Sequence, residues 1–258
     1  MRVPWSEFLR GLIWPHLSLE RDFWLTVVAV FGTTISPYLF FWQAAQEVED
    51  TKTQPLREPL LQEPLQGPAA LARIRLDTVV GMGASNLVAL AILVTFAATL
   101  HAQGVQDVAT TAQAAQALRP VAGTWAFALF AAGVVGTGLL SVPVLAGSAA
   151  YALGEARRWP IGLSRAPLQA KAFYSTIGVA TLLGALANVF HLDPIKSLVW
   201  AAVLNGIVAV PVMVMVMLLG ARSDIMGKFT ISTRLNVTGW IATAVMAIAS
   251  VAFVVSAV

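Results

Sequence analysis

The chain has 258 residues, 58% of them hydrophobic and 11% charged, where a soluble domain carries roughly 25% charged residues. This composition excludes a soluble globular protein and marks an all-α, polytopic membrane helix bundle with lipid as its surroundings. The net charge of +3 comes from basic residues between apolar runs, which suits topology signals and no nucleic-acid partner; the absence of cysteine removes disulfides, thiolate metal sites and cysteine nucleophiles.

In chain order, residues 1–22 read as an extracellular or interfacial segment ahead of a transmembrane domain over 23–258. Arg2, Glu7, Arg10, Glu20 and Arg21 are mixed with short apolar pieces, so the segment does not read as a signal peptide. Trp5 and Trp14 suit a membrane boundary. Six helical spans follow, at about 23–46, 79–101, 125–153, 172–190, 198–219 and 237–257, each long enough to cross a bilayer with some tilt. Residues 47–77 form a cytoplasmic loop. Pro55, Pro59, Pro64 and Pro68 among charges keep its first half irregular, and Ala69 to Asp77, with Arg73 and Arg75, starts an amphipathic helix into the second span. Asn86 in that span predicts an interhelical hydrogen bond. Gln103 to Val121, rich in Ala, Gln and Thr, is an outside loop with helical propensity. The third span holds Gly133, Gly136, Gly138 and Gly147 with Ser141, Pro143 and Ser148; small residues of this kind favour close helix packing. In the fifth span Asn205-Gly206 is a polar, flexible pair followed by Pro211. An amide at that depth needs a partner, on a neighbouring helix or at a gate.

The first span is interrupted. Gly32-Thr33-Thr34-Ile35-Ser36-Pro37-Tyr38 lies inside the apolar run Phe23 to Trp42. Pro37 has no amide hydrogen and disfavours helix at Ser36. A helix broken at membrane depth frees carbonyls that hydrocarbon cannot satisfy. Such breaks build substrate sites in many secondary transporters. Carbonyls near Thr33 and Thr34, with the hydroxyls of Ser36 and Tyr38, suit hard or borderline divalent cations. The same residues also fit a plain proline kink whose threonines and serine bond their own helix.

The basic residues set the orientation. With six spans, Arg2, Arg10, Arg21, Arg119 and Lys196 fall on one side, and the other eleven of the 16 Lys and Arg on the other. The richer side is cytoplasmic. Both termini then face outward, which suggests a preceding odd number of spans. No Asp, Glu, Lys or Arg lies near a span centre, which argues against a complete proton pump or carboxylate metal cage in this chain. His16, His101 and His191 fall at membrane edges without ligand spacing. No acid pair or nucleophile–base pair lies at depth, so the chain does not read as an enzyme.

These pieces resemble the C-terminal half of the Nramp family of divalent metal transporters. The family's sixth helix carries a Gly-Ala-x-Ile-Met-Pro-His run, and Gly32 to Tyr38 matches it, continuing through Leu39 to Gln46 with Glu47 and Glu49 entering the loop. Residues Phe130 to Glu155 resemble the glycine-rich eighth helix. Asn205 to Phe229, with Pro211 and Ser223-Asp224-Ile225-Met226-Gly227, resembles the tenth helix and the loop after it. The resemblance implies a partial LeuT-like fold, helices six to eleven, with a broken first helix. The family's sixth helix starts outside, as the charge count places the first span here. It implies no cofactor and a transported divalent ion of the Mn, Fe or Mg class. The family's metal ligands are an Asp and an Asn of the first helix, a sixth-helix carbonyl and the Met. The chain begins after the first helix, so the first two are absent. The carbonyl maps to Thr33 and the Met to Ser36, a hard oxygen for a soft sulfur, which weakens selectivity for manganese, iron or cadmium against magnesium or calcium. The His becomes Tyr38, whose unperturbed hydroxyl titrates near pH ~10, a departure that puts proton coupling at this position in doubt. The tenth-helix Gln maps to Val203 counting back from Pro211, and to Asn205 with a small shift.

The sequence therefore reads as the C-terminal part of an Nramp-like transporter in a bacterial inner membrane, incomplete on its own. Its partner is a missing N-terminal half or a separate N-terminal chain. Substrate contact falls to Thr33 and Ser36, with Pro37 holding the break and Tyr38 and Asn205 along the path. The alternative is a membrane scaffold or partner-binding subunit without transport, from a split or degraded gene.

Overall fold

The computed structural model describes residues 5, 10–11, 18, 20–54, 56–100, 104, 108, 110–190 and 193–256. Among the described residues the regular structure is helical, without strands. His16, His101, His191 and Trp14 lie outside them; Trp5 is helical and exposed.

The first span is two helices, α1 (Arg21–Thr34) and α2 (Pro37–Thr53). The expected loop over 47–77 is shorter than its composition implied. Helix α2 continues through Glu47, Glu49 and Asp50 to Thr53, with Lys52 in its last turn, because charges at a helix end reach water and do not break the backbone ladder. Among the described residues of this stretch, irregular chain is confined to 54, 56–63 and a short 3-10 turn, Pro64–Gln66. Helix α3 (Gly67–Thr99) then begins directly. Pro68 sits in its first turn, where the missing amide hydrogen costs nothing.

The loop after α3 carries two short helices, α4 (Thr111–Gln116) and α5 (Arg119–Ala122). Thr110 starts α4 with a capping box: its hydroxyl accepts from the Gln113 amide while the Gln113 side chain accepts from the Thr110 amide. There follow α6 (Ala126–Arg157), α7 (Lys171–Val189) and α8 (Pro194–Gly220). The Asp193 carboxylate caps α8 by accepting from the amides of Ile195 and Lys196. The one-turn α9 (Ser223–Met226) and α10 (Thr233–Ser256) complete the order.

Among the described residues, five helical stretches are long and apolar enough to cross a membrane: 21–53, 64–99, 123–157, 194–220 and 233–256. The apolar stretch of α7, Lys171–Ala187, is shorter. Exposed apolar side chains such as Leu87, Leu93, Leu139 and Leu183 are what helices present to lipid.

The chain divides into two compact units, one of residues 1–18 and 73–140, the other of 19–72 and 141–258. In the smaller unit, Thr99, Leu100, Ala115, Ala117 and Ala126 are buried. The larger unit has two cores. In the first, Val28 of α1, Val203 of α8, and Met246, Ala249 and Phe253 of α10 are buried. In the second, Ala45 of α2, Ala150 and Tyr151 of α6, and Ala170 and Phe173 at the start of α7 are buried, with Trp42 and Ile161 against them.

Two packing expectations change. Of the four glycines expected to pack, Gly147 meets a neighbouring helix closely: a Cβ there would lie 2.5 Å from the Trp42 ring, whereas Gly133, Gly136 and Gly138 have no such neighbour within 4 Å. Asn86 makes no interhelical bond; its amide donates to the Met82 carbonyl of its own helix at 2.8 Å, one turn back, where a partner is always in reach.

Candidate functional site at the helix break

Helix α1 stops at Thr34. Ile35 (φ −107°, ψ 84°) and Ser36 (φ −100°, ψ 115°) leave helical geometry, and Pro37 opens α2 as its first residue. Pro37 cannot donate to the Thr33 carbonyl, and its ring drives Ser36 out of the helical region. The Ile35 amide still closes the α1 end by donating to Phe31 O at 2.7 Å, and the Leu39 amide restarts the ladder by donating to Ser36 O at 3.0 Å.

The side chains partly replace what the backbone lost. Ser36 Oγ, on a residue only 4% exposed, donates to Gly32 O at 3.0 Å and lies 3.4 Å from Thr33 O. The hydroxyls of Thr33 and Thr34 donate to Val30 O at 2.7 and 3.1 Å. These hydroxyl protons are thus committed to α1 itself, as in the proline-kink alternative, while the oxygen lone pairs stay available as acceptors or ligands. Pro37 is buried, Tyr38 is half-buried and Thr33 is exposed.

The α1 side of the break is fixed by backbone contact with α8. A Cβ on Gly32 would lie 1.9 Å from Ala202 O and 2.6 Å from Gly206 N; one on Gly206 would lie 2.7 Å from Val28 O. Only glycine at both positions lets the two backbones touch. Thr33, Ser36, Pro37 and Tyr38 therefore share one short interruption, and the adjoining turn of α1 rests on the stretch of α8 that carries Asn205. Asn205 is half-buried, whereas Val203 is 1% exposed in the apolar core with Val28.

Glu49, a loop residue by sequence pattern, anchors the far end of α2. Glu49 Oε1 accepts from the Tyr151 hydroxyl in a short bond and from the Leu163 amide at 2.7 Å; Oε2 accepts from the Ser164 amide at 3.2 Å. The Leu163 amide is also 3.3 Å from the Tyr151 oxygen. Gly162 (φ 132°) makes room, since a Cβ there would lie 2.8 Å from Glu49 Oε1. Tyr174 holds the same loop by donating towards Leu163 O and Arg165 O at 3.2 and 3.0 Å. Trp42, Tyr151, Phe173 and Tyr174 continue as a run of edge-on ring contacts. The signal available in the sequence was a Gly-Leu-Ser turn between two helices; nothing there indicated which carboxylate it receives.

The Asp-x-Met-Gly segment follows α8 at the edge of this unit. Arg222 donates to both carboxylate oxygens of Asp224, at 3.0 and 2.5 Å, and holds that carboxyl below the usual carboxylate range. Leu61 and Phe229 tie the proline-rich loop to this segment: Leu61 closes on Gly227 (φ 56°), and the Phe229 ring lies where a Gly67 side chain would stand.

Comparison with known proteins adds a family. The sequence model described as natural resistance-associated macrophage protein-like, Nramp, matches residues 1–256. The divalent metal cation transporter MntH of Deinococcus radiodurans is 26% identical over 217 residues, 83% of this chain and 45% of that protein. The MntH of Klebsiella pneumoniae is 26% identical over 243 residues, 93% of this chain and 53% of that protein. The MntH of Ralstonia nicotianae is 32% identical over 141 residues, 52% of this chain and 30% of that protein. The chain spans about half, or less, of the length of these relatives.

Proposed function

From the membership of this chain in the Nramp family, a family of multi-pass membrane proteins, we propose that it serves divalent metal cation transport as the C-terminal part of a transporter, helices six to eleven of a LeuT-like fold. The observation that carries this is the interruption at Ile35 and Ser36, in the run that resembles the family's metal-binding sixth helix. The Thr33 carbonyl, which Pro37 leaves without a backbone donor, and the Ser36 oxygen are the ligands this chain supplies. Pro37 keeps the two half-helices apart; Tyr38 and Asn205 line the path. A carbonyl and a hydroxyl are hard donors, so the site selects less strongly for manganese, iron or cadmium against magnesium or calcium. The remaining ligands come from an N-terminal half, in this protein or a separate chain, and the cation moves by alternating access about the break.

The test is metal uptake into liposomes. The chain alone gives no Mn²⁺ uptake above empty vesicles, and uptake appears when it is reconstituted with the N-terminal half of an Nramp relative. Uptake by the chain alone overturns the shared site, and no uptake in either case overturns the transport role. The second reading, a membrane scaffold without transport, is favoured by the bonding of all three hydroxyls back onto α1. It predicts the same null result in both reconstitutions and stable capture of a partner chain.

A further inference from the structure

We propose that Glu49 is a positioning residue for the second half of the broken helix. Its carboxylate pins α2 to α6 and to the α6–α7 loop, and its release opens the seam between them. For its bearing on transport this rests on the ion-path reading above; the seam itself rests on geometry alone.

The two ends of α2 are held differently. At the start, Ile35 and Ser36 leave helical geometry and Pro37 gives no hydrogen bond back to α1, so the connection is a natural hinge. At the far end, α2 itself brings little buried apolar surface to the seam: Ala45, with Trp42 partly buried against it. The seam's buried members are Ala45 on α2, Ala150 on α6 and Ala170 beside α7, with the Tyr151 and Phe173 rings. The large buried rings belong to α6 and α7, and the alanine that α2 adds buries little area. Across this seam the Glu49 carboxylate collects three donors, from a side chain 102 residues away in sequence and two backbone amides 114 and 115 residues away. Hydrogen bonds to an ionised acceptor are about twice as strong as neutral ones. Gly162 leaves the space the carboxylate enters. The neighbouring Asp50 plays no part in this, since it pairs with Arg57 at 2.7 Å. One side chain therefore couples the swing of α2 to the loop between α6 and α7, on the charge-rich side of the membrane.

The chain has no cysteine, so single cysteines report the seam cleanly. Ala45→Cys and Ala170→Cys sit in it at 7% and 1% exposure, and Val203→Cys, at 1%, sits in the separate α1–α8–α10 core as a control. The rate of maleimide labelling is measured for each in the purified full chain. Glu49→Gln should raise labelling at 45 and 170 by roughly tenfold, the factor that losing a charged hydrogen bond gives, and leave 203 unchanged. Tyr151→Phe, which keeps the ring packing, should raise the seam sites less. The double variant should expose them no more than Glu49→Gln alone, because both changes break one unit. Unchanged labelling at 45 and 170, an equal rise at 203, or simple additivity in the double variant overturns the proposal. If Glu49→Gln does not yield folded protein, Tyr151→Phe decides by the same criteria at 45, 170 and 203. None of these readouts involves a metal, so failure of the ion-path reading leaves them intact.

Discussion

The two halves of the broken helix are held by opposite kinds of force. Helix α1 is locked by shape: Gly32 and Gly206 let its backbone touch that of α8, and Val28, Val203 and Phe253 fill the space around the crossing. The far end of helix α2 is held by bonds that exchange, a carboxylate with three donors, beside one small buried side chain, Ala45. Steric contact of this kind cannot be released by degrees, whereas hydrogen bonds to a loop can open and close. A hinge at Ile35 and Ser36 between a locked half and a releasable half assigns the motion to α2.

The strongest way to break this contrast is to fill the α1–α8 contact. Gly32→Ala forces a methyl group to within 1.9 Å of a backbone oxygen that has nowhere to move. The expected cost is about 3 kcal/mol or more, the upper end for overpacking, read as a lowered thermal unfolding midpoint in detergent. A midpoint near that of the unaltered protein would show that α1 is not locked. Next comes Ser36→Ala. It removes the donor that satisfies Gly32 O and should cost roughly 1–3 kcal/mol, the penalty for a buried acceptor left without a partner; the same unfolding measurement checks it. The smallest effect belongs to the exposed Arg222–Asp224 pair. Because Arg222 depresses the folded Asp224 carboxyl below its unfolded value, the stability it adds is fully present above the unfolded carboxylate value of about pH 4 and is lost as pH falls through the lower folded value. Unfolding midpoints of Arg222→Gln and the unaltered protein should differ slightly at pH 7 and converge on acidification. A difference that grows towards low pH would contradict the pairing.

The membrane class, the helical architecture and the interruption at Pro37 were legible because they follow from local chemistry: long apolar runs, and a proline that cannot donate. Helix ends among charges were not. Glu47, Glu49 and Asp50 look like loop residues by composition, yet charges are tolerated on a helix once it leaves hydrocarbon, and α2 runs on to Thr53. Asn86 shows the same limit, since an amide in a span finds its own helix's carbonyl as readily as a neighbour's. The candidate site was legible as a set of adjacent residues, Thr33 to Tyr38, because the break is local. Glu49's role was not, because its donors lie more than a hundred residues away, and no pattern within α2 points to them. For the same reason the contact of Gly32 with Gly206, on which the site's geometry depends, is not legible in the sequence, since the two glycines belong to different helices.

The most direct test of the break as a cation route is calorimetric titration of Mn²⁺ and Mg²⁺ into the chain joined to the N-terminal half of an Nramp relative, before and after Ser36→Met. If the Ser36 oxygen is a ligand, exchanging it for a thioether shifts the preference towards Mn²⁺. An unaltered ratio of the two affinities would remove Ser36 from the site and contradict the account.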